Sequence, residues 1–145
     1  MAVFVRTYDG EIIRIRSDLL TQMVGLEREL NDPFCATKFF VGNDNIVNLE
    51  NIHSITLNQI ILWHQFHRLN PQRNVRFGAK ETWKLCEWDK NFFHKNDKIV
   101  INIFQAAWEL EDRDLIDAAA IFIRDRLKQD PRMNAAELSK HIDKI

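Results

Sequence analysis

The residues best suited to chemistry are two histidines three positions apart, and a cysteine eight positions from a histidine. His64 and His67 stand in the run "LWHQFHRL". Side chains at i and i+3 share one face of a helix, so this pair could bind a metal ion. A tight site needs a third and usually a fourth ligand, and the sequence supplies none at helical spacing. We therefore interpret both histidines as solvated or partly packed and predict no metal site.

A thiol enzyme is the other chemical alternative, because Cys86 and His94 in "CEWDKNFFH" could form a nucleophile and its base. No elbow turn, oxyanion hole or third orienting group accompanies them. The glycines are isolated, so there is no phosphate-binding loop. Paired carboxylates occur only in the charged run 109–117, where a solvent-facing surface explains them. We predict no catalytic residue, no cofactor and no enzymatic activity.

Charge and composition narrow the classes of partner. The 145 residues carry a formal net charge of −1, which gives no electrostatic footprint for nucleic acid or an anionic membrane. The basic run 68–84 is interpreted as a solvated loop, with a basic docking patch as the alternative. Two cysteines without CxxC spacing and no signal-peptide pattern favour a reducing compartment, cytoplasmic or nuclear. No apolar run approaches the roughly 20 residues that span a bilayer.

The first half of the chain is predicted to hold short strands and two helical segments. Asp9-Gly10 marks a hairpin turn between runs containing Phe4, Ile13 and Ile15. Ser17 or Asp18 then caps a helix that is broken near Gly25 and ends at 31–33. An irregular connection over 34–45 precedes a strand at 45–49. The next helix starts at Ser54 or Thr56, buries a stripe over 57–64, and stops at Asn70-Pro71.

The second half is predicted to be helical. A short helix covers "WDKNFF", and a longer one is capped by Asn96 or Asp97. Another helix runs over 114–127, and a last one starts near Asn134. The apolar face of the longer helix consists of Ile99, Ile103, Ala106, Ala107 and Leu110. Strands followed by helices indicate an α+β fold. The corresponding regions are a strand and helix region at 1–70, a linker at 71–87 and a helical region at 88–145.

The segment 104–123 carries the most informative pattern. Alanines at 106, 107 and 118–120 allow two helices to approach closely in an antiparallel hairpin that turns near 111–113. At 100° per residue, one broad apolar arc of the second helix holds Leu115, Ile116, Ala119, Ala120, Phe122, Ile123 and Leu127. Ile121 falls on the polar side with Asp117, Arg124 and Asp125. The arc is wide enough to face either a larger core or the helices of a partner protein.

Four blocks resemble the motifs of Skp-type proteins, in the same order. "YDGEIIRI" is similar to "S-D-G-x-x-F-x-V", and "IHSITLNQIILWHQFHRLNP" to "L-x-x-V-I-x-W-x-x-H-H", with Trp63 and His67 in matching places. "WDKNFF" resembles "W-D-x-x-F" through Trp88, Asp89 and Phe92. "FQAAWELEDRDLID" is similar to "L-A-A-N-Y-L-D-I-K-G-L-L-D".

The resemblance implies a BTB/POZ-like core, with a small three-stranded sheet and helices, followed by a C-terminal helical extension. It implies a non-enzymatic adaptor that links an F-box substrate receptor to a cullin scaffold in an SCF ubiquitin ligase. The F-box-facing residues would be Leu115, Ile116, Ala119, Ala120, Ile123, Arg126 and Leu127. The cullin-facing residues would be Trp108, Glu109 and Asp112.

Several of these positions depart from the family pattern. The family's Asn-Tyr pair is Trp108-Glu109 here, and its Ile and Gly in the following turn are Asp112 and Asp114. The alternative interpretation is therefore a BTB/POZ-like interaction or self-association module that has no role in an SCF ligase.

Overall fold

The computed structural model describes residues 2–31, 40–41, 45–69 and 83–129, and within these ranges short strands precede a series of helices. The elements are β1 Ala2–Arg6, β2 Ile12–Arg16, α1 Ser17–Leu20, α2 Val24–Asn31, β3 Phe40–Val41, β4 Val47–Asn48, α3 Ser54–Leu69, α4 Glu87–Lys95, α5 Val100–Leu110 and α6 Arg113–Gln129. A 3₁₀ turn, Asp97–Ile99, precedes α5. The predicted α+β class is confirmed. None of the helices in the described ranges is long and apolar enough to cross a bilayer.

The strands form one sheet in the order β2-β1-β4-β3, with β1 and β4 parallel and the other pairs antiparallel. The predicted hairpin and the strand predicted at 45–49 are both present. β3 is an additional edge strand inside 34–45, where an irregular connection was predicted. A strand of two residues is too short to show alternation in a sequence, so no pattern could indicate it.

The hairpin turn is at the predicted place but has a different geometry. Thr7 and Glu11 close the loop through the Thr7 N–H, which donates to the Glu11 carbonyl at 2.9 Å. Three residues, 8–10, therefore form the loop instead of two. Gly10 has φ +86°, the left-handed conformation that the last residue of such a loop requires.

Asp9 in this loop also anchors the start of α3. Its carboxylate accepts hydrogen bonds from the Ser54 N–H at 2.9 Å and from the Thr7 hydroxyl at 2.7 Å. α3 begins at Ser54, as predicted, but the capping oxygen comes from the hairpin, 45 residues earlier. The hydroxyl groups of Ser54 and Thr7 and the Ser54 N–H hold the pKa of Asp9 well below its usual value.

We expect Asp9→Ala to lower the melting temperature at pH 7, and the deficit to shrink in acid. A depressed carboxylate pKa stabilises the fold above the unfolded-state value of 3.8, and that contribution is lost as pH falls through the lower, folded-state pKa. Thermal unfolding at pH 7 and then at acidic pH checks the result. Glu50→Ala, at a nearby exposed position, is the control. An unchanged deficit across the acid range would contradict this role for Asp9.

The segment after the hairpin contains two helices, as the predicted break suggests. The break lies at Thr21–Met23, and Gly25 is inside the first turn of α2. The predicted cap is wrong, because Arg16 occupies the cap position of α1 without a side-chain hydrogen bond. The Asp18 carboxylate instead pairs with Arg16 at 3.2 Å and with Arg68 of α3 at 2.5 Å. α2 ends at Asn31, where the approach to Pro33 was predicted to end it.

One hydrophobic core joins the strand region and the helical region. α3 packs against α5 and α5 against α6, and their buried residues include Leu57, Ile60, Ile103, Leu110 and Leu115. The predicted stripe on α3 and the predicted face of α5 both lie in this core. At the end of the predicted linker, Leu85 is buried in it as well. Residues 70–82, the helix predicted from Asn134 and most of 34–45 lie outside the described residues.

Candidate functional site

Residues of two motif blocks meet where α4 crosses α3. Asp89 is completely buried, and one of its carboxylate oxygens receives two hydrogen bonds. The Trp63 Nε1–H donates at 3.1 Å and the His67 Nε2–H donates at 2.7 Å. A carboxylate buried without such donors would be costly, so the three side chains depend on one another.

Aromatic rings enclose this hydrogen-bonded group. Trp88 stacks on Phe66 with 4.0 Å between ring centroids, and Phe92 lies on Trp88 at 5.2 Å. The His67 ring is 4.0 Å from that of Trp63. We call Trp63, Phe66, His67, Trp88, Asp89 and Phe92 the motif cluster. Its members come from two blocks more than 15 residues apart in the chain, and five of them are among the residues matched in the resemblance.

The two histidines of α3 face different partners. His67 belongs to the motif cluster, whereas His64 is buried against the carboxylate of Asp112. They therefore do not converge on a shared ligand. Within the ranges that the structure describes, no three histidine, cysteine, aspartate or glutamate side chains are grouped so that they could hold a metal ion. Of the two states predicted, solvated or partly packed, both histidines are in the packed one, with His64 buried and His67 half-buried.

Cys86 and His94 do not form a nucleophile and base. Cys86 precedes α4 and His94 lies near its other end, about 12 Å away along the helix axis. Burial raises the pKa of the Cys86 thiol, which disfavours the reactive thiolate. The pair therefore lacks both the contact and the ionisation that thiol catalysis needs.

The predicted hairpin of α5 and α6 is present and turns tightly. Ala106, Ala107, Ala118 and Ala119 are buried where the two helices approach each other. Glu111 ends α5 in the left-handed conformation, with φ +54°. The Asp112 N–H then donates back to the Ala107 carbonyl at 2.9 Å, so the turn satisfies carbonyls at the end of α5.

The side chain of Asp112 corrects one prediction. It was expected on the cullin-facing surface, but it is 1% exposed and pairs with His64 of α3. Its other oxygen, Oδ1, is buried without a hydrogen-bond partner among the described residues. The predicted role is wrong because the side chain is buried. The sequence did not reveal this burial because His64 lies 48 residues away and no local pattern connects the two residues.

Glu111 is a structural residue that the sequence did not indicate. Both of its carboxylate oxygens face the guanidinium of Arg28 in α2, and its Oε1 accepts from Arg28 Nη1 at 3.3 Å. The same carboxylate packs against the backbone of Gly25, where an added Cβ would collide with it. The turn is thereby fixed to α2 as well as to α3. The only available signal was a glycine at position 25, whose partner lies far along the chain.

The other two predicted cullin-facing residues are accessible. Trp108 is 53% exposed, and its ring contacts the edge of Phe104 at a centroid distance of 6.3 Å. Glu109 is half-buried, and its Oε1 lies 3.4 Å from the Asn51 side-chain amide. The structure therefore presents Trp108 to solvent beside the turn, and Asp112 lies beneath it in the core.

The predicted F-box-facing residues divide into two groups. Leu115, Ile116 and Ala119 are buried in the core of the chain, so their assignment to a partner surface is wrong. Ala120 is exposed, and Ile123 and Leu127 are half-buried. At spacings of three and four residues, these last three line one face of α6, which we call the α6 outer stripe.

The apolar arc of α6 is rotated from its predicted position. Ile121, expected on the polar side, is buried, and Phe122 stacks on Phe93 of α4 at 5.4 Å. The reason is that α6 packs against α4 as well as α5, which buries a second side of the helix. Arg126 forms an ion pair with Asp97, so its charge is held against the turn before α5.

Comparisons of the chain with protein-family models and with curated proteins found no match. The resemblance stated above accordingly depends on the quoted motifs alone.

Proposed function

We propose that the chain is a divergent Skp-type adaptor with a BTB/POZ-like core, linking an F-box substrate receptor to a cullin in an SCF ubiquitin ligase. The observation that carries the proposal is the motif cluster. Trp63, His67, Trp88, Asp89 and Phe92 were selected from separate motif blocks, and all five lie in one set of hydrogen bonds and ring contacts. Residues that serve a shared fold are expected to contact one another, and these contacts are the support for the proposal.

The accessible residues fit an adaptor with two binding surfaces. On the receptor side, the α6 outer stripe offers Ala120, Ile123 and Leu127, where receptor helices would bury apolar area worth roughly 25 cal/mol per Å² before association costs. On the scaffold side, Trp108 offers a large exposed ring, and tryptophan is a common anchor when it enters a pocket. The two surfaces lie on the two helices of one hairpin, α5 and α6.

Mixing the purified chain with an F-box segment, and measuring molar mass by light scattering, tests the receptor side. We expect a complex of one chain with one segment. Ile123→Asp should weaken it at least tenfold, because a charge would enter the buried contact. Ile55→Asp, at an exposed position on α3, is the matched control and should leave binding unchanged. A homodimer that ignores the F-box segment would contradict the proposal and favour the self-association module.

Replacing Trp108 tests the scaffold side. We expect Trp108→Ala to weaken binding of a cullin N-terminal domain by about 2 kcal/mol or more, the range of an interface anchor. The free energy of unfolding should fall by less than about 1 kcal/mol, since the ring is half-exposed. Calorimetric titration and urea unfolding of the same preparation measure both quantities. Large destabilisation with unchanged cullin binding would show that Trp108 is a packing residue.

A further inference from the structure

The β1–β2 hairpin has one face in the core and one in solvent. Along both strands the side chains alternate, and Val5 and Ile15 point inward and are fully buried. The outward positions form a separate surface of alternating apolar and basic side chains. We call it the hairpin outer face, and it consists of Phe4, Arg6, Ile12, Arg14 and Arg16.

The register of the strands arranges these side chains in a regular pattern. Phe4 lies directly opposite Arg14, and Arg6 opposite Ile12. Phe4 and Ile12 are therefore diagonal neighbours, close enough for one partner side chain to cover both. They are 48% and 53% exposed, which is unusual for large apolar residues placed side by side on a short hairpin.

All charged side chains of the hairpin outer face are positive. No acidic residue occupies an outward position of β1 or β2, whereas three arginines do, on a chain whose formal net charge is −1. The Arg6 guanidinium is oriented by the side-chain oxygen of Asn48 on the neighbouring strand, at 3.0 Å. Arg16 pairs with Asp18 at the end of the hairpin. Within the described ranges, no carboxylate is in ion-pair contact with the exposed Arg14.

We propose that the hairpin outer face binds an acidic segment of a partner protein, in which carboxylates alternate with apolar side chains. Arginine binds carboxylates through two parallel hydrogen bonds, and such contacts supply specificity. The apolar side chains of the segment cover Phe4 and Ile12 and exclude water from those bonds. This surface is separate from the α6 outer stripe and from Trp108, so the proposal does not depend on the adaptor function.

Two other occupants fit less well. A second copy of the chain, related by twofold symmetry, would bring the arginines of one hairpin face against those of the other. Single-stranded nucleic acid is held by successive aromatic rings that stack on its bases, and this face has only Phe4. An acidic protein segment supplies a carboxylate for Arg14 and apolar side chains that cover Phe4 and Ile12.

Differential selection from a library of random 12-residue peptides tests the proposal. Peptides are selected on the wild-type chain after removal of those that bind Arg14→Glu. We expect enrichment of acidic peptides with interspersed apolar residues. Arg14→Glu should weaken their binding at least tenfold, and Phe4→Ser should weaken it several-fold. Arg113→Glu, an exposed arginine at the start of α6, is the matched control and should change the affinity less than twofold. Affinity should also fall as salt is raised.

Three results would overturn the proposal. The first is a selection that yields no acidic peptides. The second is a loss of binding in Arg113→Glu as large as that in Arg14→Glu, which would indicate electrostatic attraction to the chain as a whole and not to the hairpin outer face. The third is tighter, Arg14-dependent binding of a 20-residue oligothymidine or of phosphatidylserine vesicles than of the selected peptides, which would assign the face to nucleic acid or membrane. Circular dichroism of each variant confirms that it is folded.

Discussion

Replacing Asp89 by Ala is expected to lower the free energy of unfolding by about 3 kcal/mol or more, because each donor left without its acceptor costs about 1–3 kcal/mol. The carboxylate has no exposed surface and accepts from the Trp63 indole and the His67 imidazole. Without it, one buried and one half-buried donor have lost their acceptor, and α4 has lost a polar attachment to α3. Urea unfolding followed by circular dichroism measures the change.

Two controls separate the hydrogen-bonding role of Asp89 from its position in α4. Asp89→Asn retains one side-chain acceptor and should lose clearly less stability than Asp89→Ala. Glu87→Ala removes an exposed carboxylate two residues earlier on the same helix and should stay within about 0.5 kcal/mol of wild type. If Asp89→Ala is too unstable to purify, Asp89→Asn still gives the comparison with Glu87→Ala. Equal stability of all four proteins would contradict the role assigned to the motif cluster.

The second large effect is expected at the buried pair of His64 and Asp112. Asp112→Ala alone should destabilise the chain by about 3–5 kcal/mol, because His64 would be left buried without its carboxylate. The double substitution His64→Leu with Asp112→Ile places two apolar side chains in the same space. It should cost less than about 2 kcal/mol, since well-packed apolar replacements of buried pairs are often close to neutral.

A double-mutant cycle through His64→Leu and Asp112→Ile provides the quantitative test. The two single losses should add up to at least 1 kcal/mol more than the loss in the double variant, as for residues in direct contact. Strict additivity would show that the two side chains act independently. The cycle also bears on the departure from the family pattern, which has Ile at the position of Asp112. The aspartate at this position has a specific partner in α3.

The sequence predicted those parts of the fold whose signals are local. Ser54 and Pro71 bracket α3, and the alanines around the turn predict the tight hairpin of α5 and α6. Apolar periodicity identified the buried faces of α3 and α5. These elements depend on residues within a few turns of one another, and such patterns can be read from one chain.

The remaining features depend on contacts between distant parts of the chain. Asp9 caps α3 from 45 residues away, and Arg28 holds Glu111 from 83 residues away. Asp112 was placed on the surface because charged residues are usually exposed, yet it is buried in the core, where it pairs with His64. Ile121 was misplaced because the periodicity of α6 does not reveal that two neighbours cover it.

These contacts also determine which of the predicted binding residues are accessible to a partner. The motif residues were identified from the sequence, but their meeting around Asp89 was not predicted from it. Burial removes Leu115, Ile116, Ala119 and Asp112 from the proposed binding surfaces. The adaptor hypothesis now depends on Ala120, Ile123 and Leu127 for the receptor and on Trp108 with Glu109 for the scaffold.

A Skp-type adaptor should bind its receptor and its scaffold at the same time. The purified chain is mixed with an F-box segment and a cullin N-terminal domain, and the molar mass of the eluted species is measured by light scattering. We expect a ternary complex with one copy of each. Ile123→Asp should lose only the F-box segment, and Trp108→Ala should lose only the cullin domain. If neither partner binds, or if each displaces the other from the chain, the chain is not an adaptor between them.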